Sequence, residues 1–90
     1  MVFIGMFASS ELGTNMLRKH RPEEYERLRL ELLKMRKKAN LSQVQLADKL
    51  KVRQQFVSKY ETGERNLDFV EVCLVCKACG VDVGSLKIGL

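Results

Sequence analysis

Residues 41–82 read LSQVQLADKLKVRQQFVSKYETGERNLDFVEVCLVCKACGVD, and the fold turns on how this stretch divides into helices. Asn40, just before it, suits the left-handed conformation that ends a helix, and Ser42 suits the cap of the next. A short helix therefore spans about Gln43 to Lys49, burying Leu46, Ala47 and Leu50, with the small Ala47 letting another helix come close. After Leu50-Lys51-Val52 a new pattern starts, with Val57 and Tyr60 inward and Arg53, Gln54, Gln55, Ser58 and Lys59 largely outward. Thr62-Gly63 ends it. A polar turn from Glu64 to Asn66 leads to Asp68, which can cap a helix from about Phe69 to Cys79 that Gly80 stops. A short last turn around Gly84 to Lys87 docks Leu86.

Upstream, Pro22 followed by Glu23, Glu24 and Glu26 is a helix start, because proline fits the first turn and acids favour the positive end of the helix dipole. Tyr25, Leu28, Leu32 and Met35 recur at helical spacing, and Arg36, Lys37 and Lys38 suit a last turn. The spacing predicts a helix over 22–38. Five helices and no convincing strand make an all-α fold, with one domain over residues 22–90. Residues 1–21 form an extension, either disordered or contributing to a dimer contact, and Met16 is an alternative natural start.

Ninety residues, 46% of them hydrophobic, suit one core and no more. No run of 18 apolar residues spans a membrane, and the apolar start MVFIGMFA has no basic residue before it and no cleavage pattern after it. Three cysteines without a secretion signal argue for reduced thiols and a cytoplasmic location. The net charge of +5 is concentrated: residues 34–65 hold nine basic residues against three acidic ones, while residues 1–33 sum to zero and residues 66–90 to minus one. The middle third is where a polyanion would be met.

Two short helices joined by a tight turn, the second presenting glutamine, serine, lysine and arginine outward, meet the requirements of a helix-turn-helix whose second helix enters the major groove. Glutamine amides can bond adenine N6 and N7, and lysine and arginine favour guanine O6 and N7. A plain solvated helical face is the competing reading of the same residues.

The whole stretch resembles the phage-repressor-like, Cro-type (XRE) helix-turn-helix family. The likeness spans about Leu28 to Leu86 and rests on Leu41-Ser42-Gln43, Leu46-Ala47, Val57-Ser58, Glu61 with Gly63, and Gly80-Val81, in that order and spacing. It implies a five-helix, lambda-repressor-like DNA-binding domain. Carried onto this chain, the resemblance puts Gln43 at the start of the second helix, contacting a phosphate and buttressing the recognition helix over about 53–61. Gln54, Gln55, Ser58 and Lys59 take the groove-facing positions. Phe56 either presses on a thymine methyl or packs against the second helix. Arg53, Lys51 and Thr62 face phosphates. Arg36 and Glu61 match a structural ion pair.

Two departures stand out. Lys51 occupies a turn position usually held by glycine, where positive φ costs a lysine on the order of 1 kcal/mol. Arg53 replaces the small capping residue or proline common at the start of the recognition helix, which bears on that helix's entry angle.

Cys73, Cys76 and Cys79 step by roughly 300° each and share one broad side with Val72 and Val75. They read as small core hydrophobes; a metal site or a redox sensor is the lesser alternative, because zinc takes four ligands and the only histidine, His20, lies outside the matched domain. His20 sits in a basic cluster, Arg18 to Arg21, that is either a solvated linker or an arm reaching DNA.

The expected function is a sequence-specific regulator of transcription, a repressor of bacterial or phage type, that binds an inverted-repeat operator in double-stranded DNA as a homodimer. Leu74, Ile88 and Leu90 lack a place in the core and are the expected dimer contacts. The alternative is an antitoxin-like or adaptor protein whose scaffold chiefly binds a protein partner through residues 1–21. No catalytic constellation or phosphate loop stands out, and no cofactor or metal is expected.

Overall fold

The computed structural model describes residues 20–88. Among the described residues four α-helices run in order: α1 Pro22–Lys38, α2 Gln43–Leu50, α3 Gln54–Thr62 and α4 Phe69–Ala78. Among the described residues there is no strand. The expected fifth helix is a single 3-10 turn, Val83–Ser85. It is held locally, by Gly84 N–H donating to Asp82 Oδ1 at 3.3 Å and Ser85 Oγ to the Asp82 carbonyl at 2.6 Å. A glycine in the middle of so short a segment leaves an α-helix nothing to propagate from. Residues 1–19, including Met16 and the apolar start, and Leu90 lie outside the described residues.

The helix boundaries follow from local chemistry. Ser42 Oγ accepts from Gln45 N–H at 3.0 Å while Gln45 Oε1 accepts from Ser42 N–H at 2.8 Å, a reciprocal box that opens α2. Asp68 and Glu71 do the same for α4, at 2.7 and 3.0 Å. Asn40, at φ 59°, closes the segment after α1. Gly63, at φ 88°, ends α3 in a conformation that only a residue without Cβ takes freely.

The core draws on all four helices: Leu32 and Met35 from α1, Leu46 and Ala47 from α2, Val57 and Tyr60 from α3, and Val72, Val75 and Cys76 from α4. Burying each larger aliphatic contributes on the order of 1.5–3 kcal/mol. Leu41, Leu67, Val81 and Leu86 close its edges. The three cysteines do not share one environment. Cys76 is buried, Cys79 packs at the core's edge, and Cys73 lies outside the core. Each three-residue step falls about 60° short of a full turn, so three such positions fan across the helix instead of stacking on one face. Burial pushes the Cys76 thiol above its ordinary range. It does the same to Cys79, where the nearby Arg36 guanidinium opposes the shift.

Candidate nucleic-acid interface

α3 presents two sides of opposite character. Val57, Tyr60 and Glu61 are buried, whereas Gln54, Gln55 and Lys59 are exposed and Ser58 is half-buried. What fixes the exposed side in space is a chain of bonds that starts in the interior. Arg36, near the end of α1, grips the Glu61 carboxylate with two nitrogens, Nε to Oε2 at 2.7 Å and Nη2 to Oε1 at 3.1 Å. Its third nitrogen, Nη1, donates to the Leu41 carbonyl at 2.8 Å. The two side chains are only 11% and 5% exposed. The hydrogen bonds to Glu61 hold the Arg36 guanidinium above its ordinary range, against the opposing effect of burial.

From Glu61 the chain runs outward. Gln43 Nε2 donates to Glu61 Oε1 at 2.8 Å, and Gln54 Nε2 donates to Gln43 Oε1 at 3.3 Å. Gln43 is half-buried and Gln54 exposed, so the network passes from the interior to the surface in three links. A glutamine amide carries two N–H donors and an acceptor oxygen. Gln54 spends one donor on Gln43, which leaves one N–H and the oxygen. That is the pair a bidentate contact with adenine N7 and N6 needs.

A second grip on α3 comes from α1. Arg29 Nη1 donates to the main-chain carbonyl of Glu61 at 2.9 Å, satisfying one of the carbonyls a helix end leaves without an intrahelical partner. Arg29 stands seven residues before Arg36, two turns along the same side of α1. That spacing was available in the sequence, although nothing there singles out a main-chain acceptor.

Phe56 does not share the outward side. Its ring meets Tyr60 edge-on, with centroids 5.9 Å apart, and the guanidinium carbon of Arg65 lies 4.8 Å from its centroid on a cation–π contact. Arg65 Nη2 also bonds Glu71 Oε2 at 2.7 Å, tying α3 to the start of α4. Arg65 was not among the residues expected at the site; a turn position has no periodicity to reveal it. The Tyr60 hydroxyl is buried without a hydrogen bond to any described protein atom, and burial, then the Glu61 carboxylate, pushes its phenol above the ordinary range.

The remaining candidates lie at the ends of the motif. Lys51 is the C-cap of α2 and itself adopts the left-handed conformation, φ 59° and ψ 44°. The turn keeps its shape and the lysine bears the strain. Main-chain bonds lock it: Lys51 N–H to the Asp48 carbonyl at 3.2 Å and Val52 N–H to the Ala47 carbonyl at 3.0 Å. Arg53 precedes α3 in extended conformation and gives it no side-chain cap, so the N–H groups of the first turn of α3 have no side-chain acceptor from the N-cap. Lys51 and Arg53 are both exposed. Thr62, exposed at the far end of α3, donates its hydroxyl to the Lys59 carbonyl at 3.1 Å.

Among the described residues, no cluster of three or more His, Cys, Asp or Glu side chains is placed to hold a metal ion, and no helix is long and apolar enough to cross a membrane. The helix-turn-helix family model matches residues 32–86, from the middle of α1 to just past the 3-10 turn. No curated protein and no solved structure matches the chain.

Proposed function

The chain belongs to the XRE-type helix-turn-helix family of DNA-binding transcription regulators, and on that premise we propose that it represses transcription by reading a short inverted repeat with α3. Gln54 and Gln55 enter the major groove first and take adenines, Lys59 takes a guanine, and Ser58 meets a base edge beside them. Lys51, Arg53, Thr62 and the second N–H of Gln43 hold phosphates on either side and set the register of the helix. Phe56, whose ring is occupied by Tyr60 and Arg65, shapes the helix instead of reading a thymine methyl.

The observation that carries this reading is the continuous hydrogen-bond chain from the buried Arg36–Glu61 pair through Gln43 to Gln54. A merely solvated glutamine has no reason to be oriented from the interior, whereas a base-reading one gains from losing its freedom before it binds. One α3 covers only a few base pairs, so two chains on half-sites about one helical turn apart supply the needed specificity. A cytoplasmic location accompanies that role.

Duplex affinity as a function of salt tests the reading. We expect a log–log slope of roughly −4 to −8, reduced by about one on replacing Lys51 or Arg53 with alanine. A flat salt dependence, or a slope unmoved by either change, contradicts the phosphate assignments.

A further inference from the structure

The first turn of α3 carries Gln54 and Gln55, the proposed adenine readers, yet little local chemistry holds it. Arg53 gives it no side-chain cap, and the tie from Gln54 to Gln43 is 3.3 Å long. Phe56 is the residue of this turn that reaches back against the core, half-buried and edge-on to Tyr60. Over its ring lies the Arg65 guanidinium, with the central carbon 4.8 Å from the centroid.

Arg65 is itself held twice. Its main-chain N–H donates to the Lys59 carbonyl at 3.2 Å, which folds the turn after α3 back along the helix. Its Nη2 donates to Glu71 Oε2 at 2.7 Å, and the other carboxylate oxygen, Oε1, accepts from Asp68 N–H at 3.0 Å. Glu71 is thus fixed by the cap of α4, and the guanidinium meets an anchor already in place. A run of contacts leads from the start of α4 through Glu71 and Arg65 to Phe56. It reaches α3 from a different element than the chain through Arg36, Glu61 and Gln43 does, and the two end on Phe56 and Gln54, either side of Gln55.

We infer that Arg65 is a positioning residue for readout: by tying the Phe56 ring to Glu71 at the start of α4, it sets the rotation of α3 about its axis and so where Gln54 and Gln55 point. The inference rests on the operator reading of α3. Stability is not what this clamp contributes. The Arg65 and Glu71 side chains are 46% and 23% exposed, and an ion pair so placed is worth little to the fold. A phosphate contact needs only the charge, whereas a planar guanidinium laid on a ring while bonded to a carboxylate uses its shape.

Competition binding of the full chain against single-base operator variants tests it. Arg65→Gln and Arg65→Lys should both lower discrimination at the base pairs met by Gln54 and Gln55, by roughly two- to fivefold, the equivalent of an exposed cation–π contact. The log–log salt slope should stay unchanged in the lysine variant. Phe56→Leu should lower discrimination equally, and adding Arg65→Gln to it should lower it no further, since the two side chains act as one unit. Thermal melting checks that each variant folds. Intact discrimination in Arg65→Gln overturns the inference. So does a loss of affinity for every duplex alike that Arg65→Lys restores, which makes Arg65 a phosphate contact. Nuclear magnetic resonance of the free chain separates the clamp from the DNA reading. The Arg65 Hδ protons should resonate upfield, shielded by the Phe56 ring, and return to ordinary shifts in Phe56→Leu, while the Gln54, Gln55 and Phe56 amide signals should move in Glu71→Gln. Ordinary Arg65 shifts in the wild type overturn the clamp. Shifted protons in a wild type that binds every duplex alike leave the clamp standing, and the operator reading falls with the positioning role that rests on it.

Discussion

The inner and outer sides of α3 differ in what holds them. Val57 and Tyr60 are fixed by the core, and Glu61 is held by two arginines of α1. Gln54, Gln55 and Lys59 project into solvent, and of these Gln54 is tied to the interior by one long hydrogen bond through Gln43. On the proposed reading the inner side carries stability and little information, and the outer side information and little stability. A recognition helix needs both, because side chains that read bases can be varied only if they do not also hold the fold.

The largest effect should come from breaking the inner side. Glu61→Gln or Arg36→Met leaves the other charge buried without its partner and should cost about 3–5 kcal/mol in denaturant unfolding. Replacing both at once with apolar residues should restore most of that loss. A single change costing under about 1 kcal/mol would mean the pair is solvated after all.

On the outer side, Gln54→Ala and Gln55→Ala should each remove about 1–3 kcal/mol of discrimination at one base pair while leaving the unfolding midpoint in place. Competition binding against single-base operator variants reads this directly. Equal discrimination in the double mutant would take both glutamines out of the readout.

Lys51 joins the two sides, because it bears backbone strain and faces outward. Lys51→Gly should stabilise the fold by roughly 1 kcal/mol, through relief of the left-handed conformation, and weaken DNA binding at the same time. Opposite signs in unfolding and in binding are the signature; a change of the same sign in both breaks the separation of roles.

The smallest effect concerns Tyr60. Its hydroxyl has no protein partner among the described residues, so Tyr60→Phe should lie within about 1 kcal/mol of wild type at neutral pH. The phenol is raised above its ordinary value of 10.0, so the folded state favours the neutral form. The stability from this group is intact below pH 10 and is lost as pH rises beyond it. The unfolding free energy measured across that range should fall less steeply in the phenylalanine variant.

Much of this arrangement is legible in the residues. The limits of α1 follow from Pro22 and from the basic run at Arg36 to Lys38, and Ser42, Asp68 and Gly63 mark ends that the structure places at the same positions. Such signals are local, and local chemistry decides helix ends. The grip of Arg29 on the Glu61 carbonyl and the stacking of Arg65 on Phe56 were harder to see. Each joins elements distant in sequence, and main-chain acceptors and turn arginines leave no periodic trace. The cysteines, read as small core hydrophobes spread over one broad side, fit only in part: Cys76 is buried and Cys79 packs against the core, while Cys73 lies outside it.

The most direct test of the account is selection of bound duplexes from a random DNA pool by the full chain. The account predicts enrichment of an inverted repeat whose half-sites contain adenine at the positions met by Gln54 and Gln55, with a changed consensus when both are replaced by alanine. Recovery of an unenriched pool, or an identical consensus from wild type and double mutant, would contradict the claim that the outer side of α3 reads sequence.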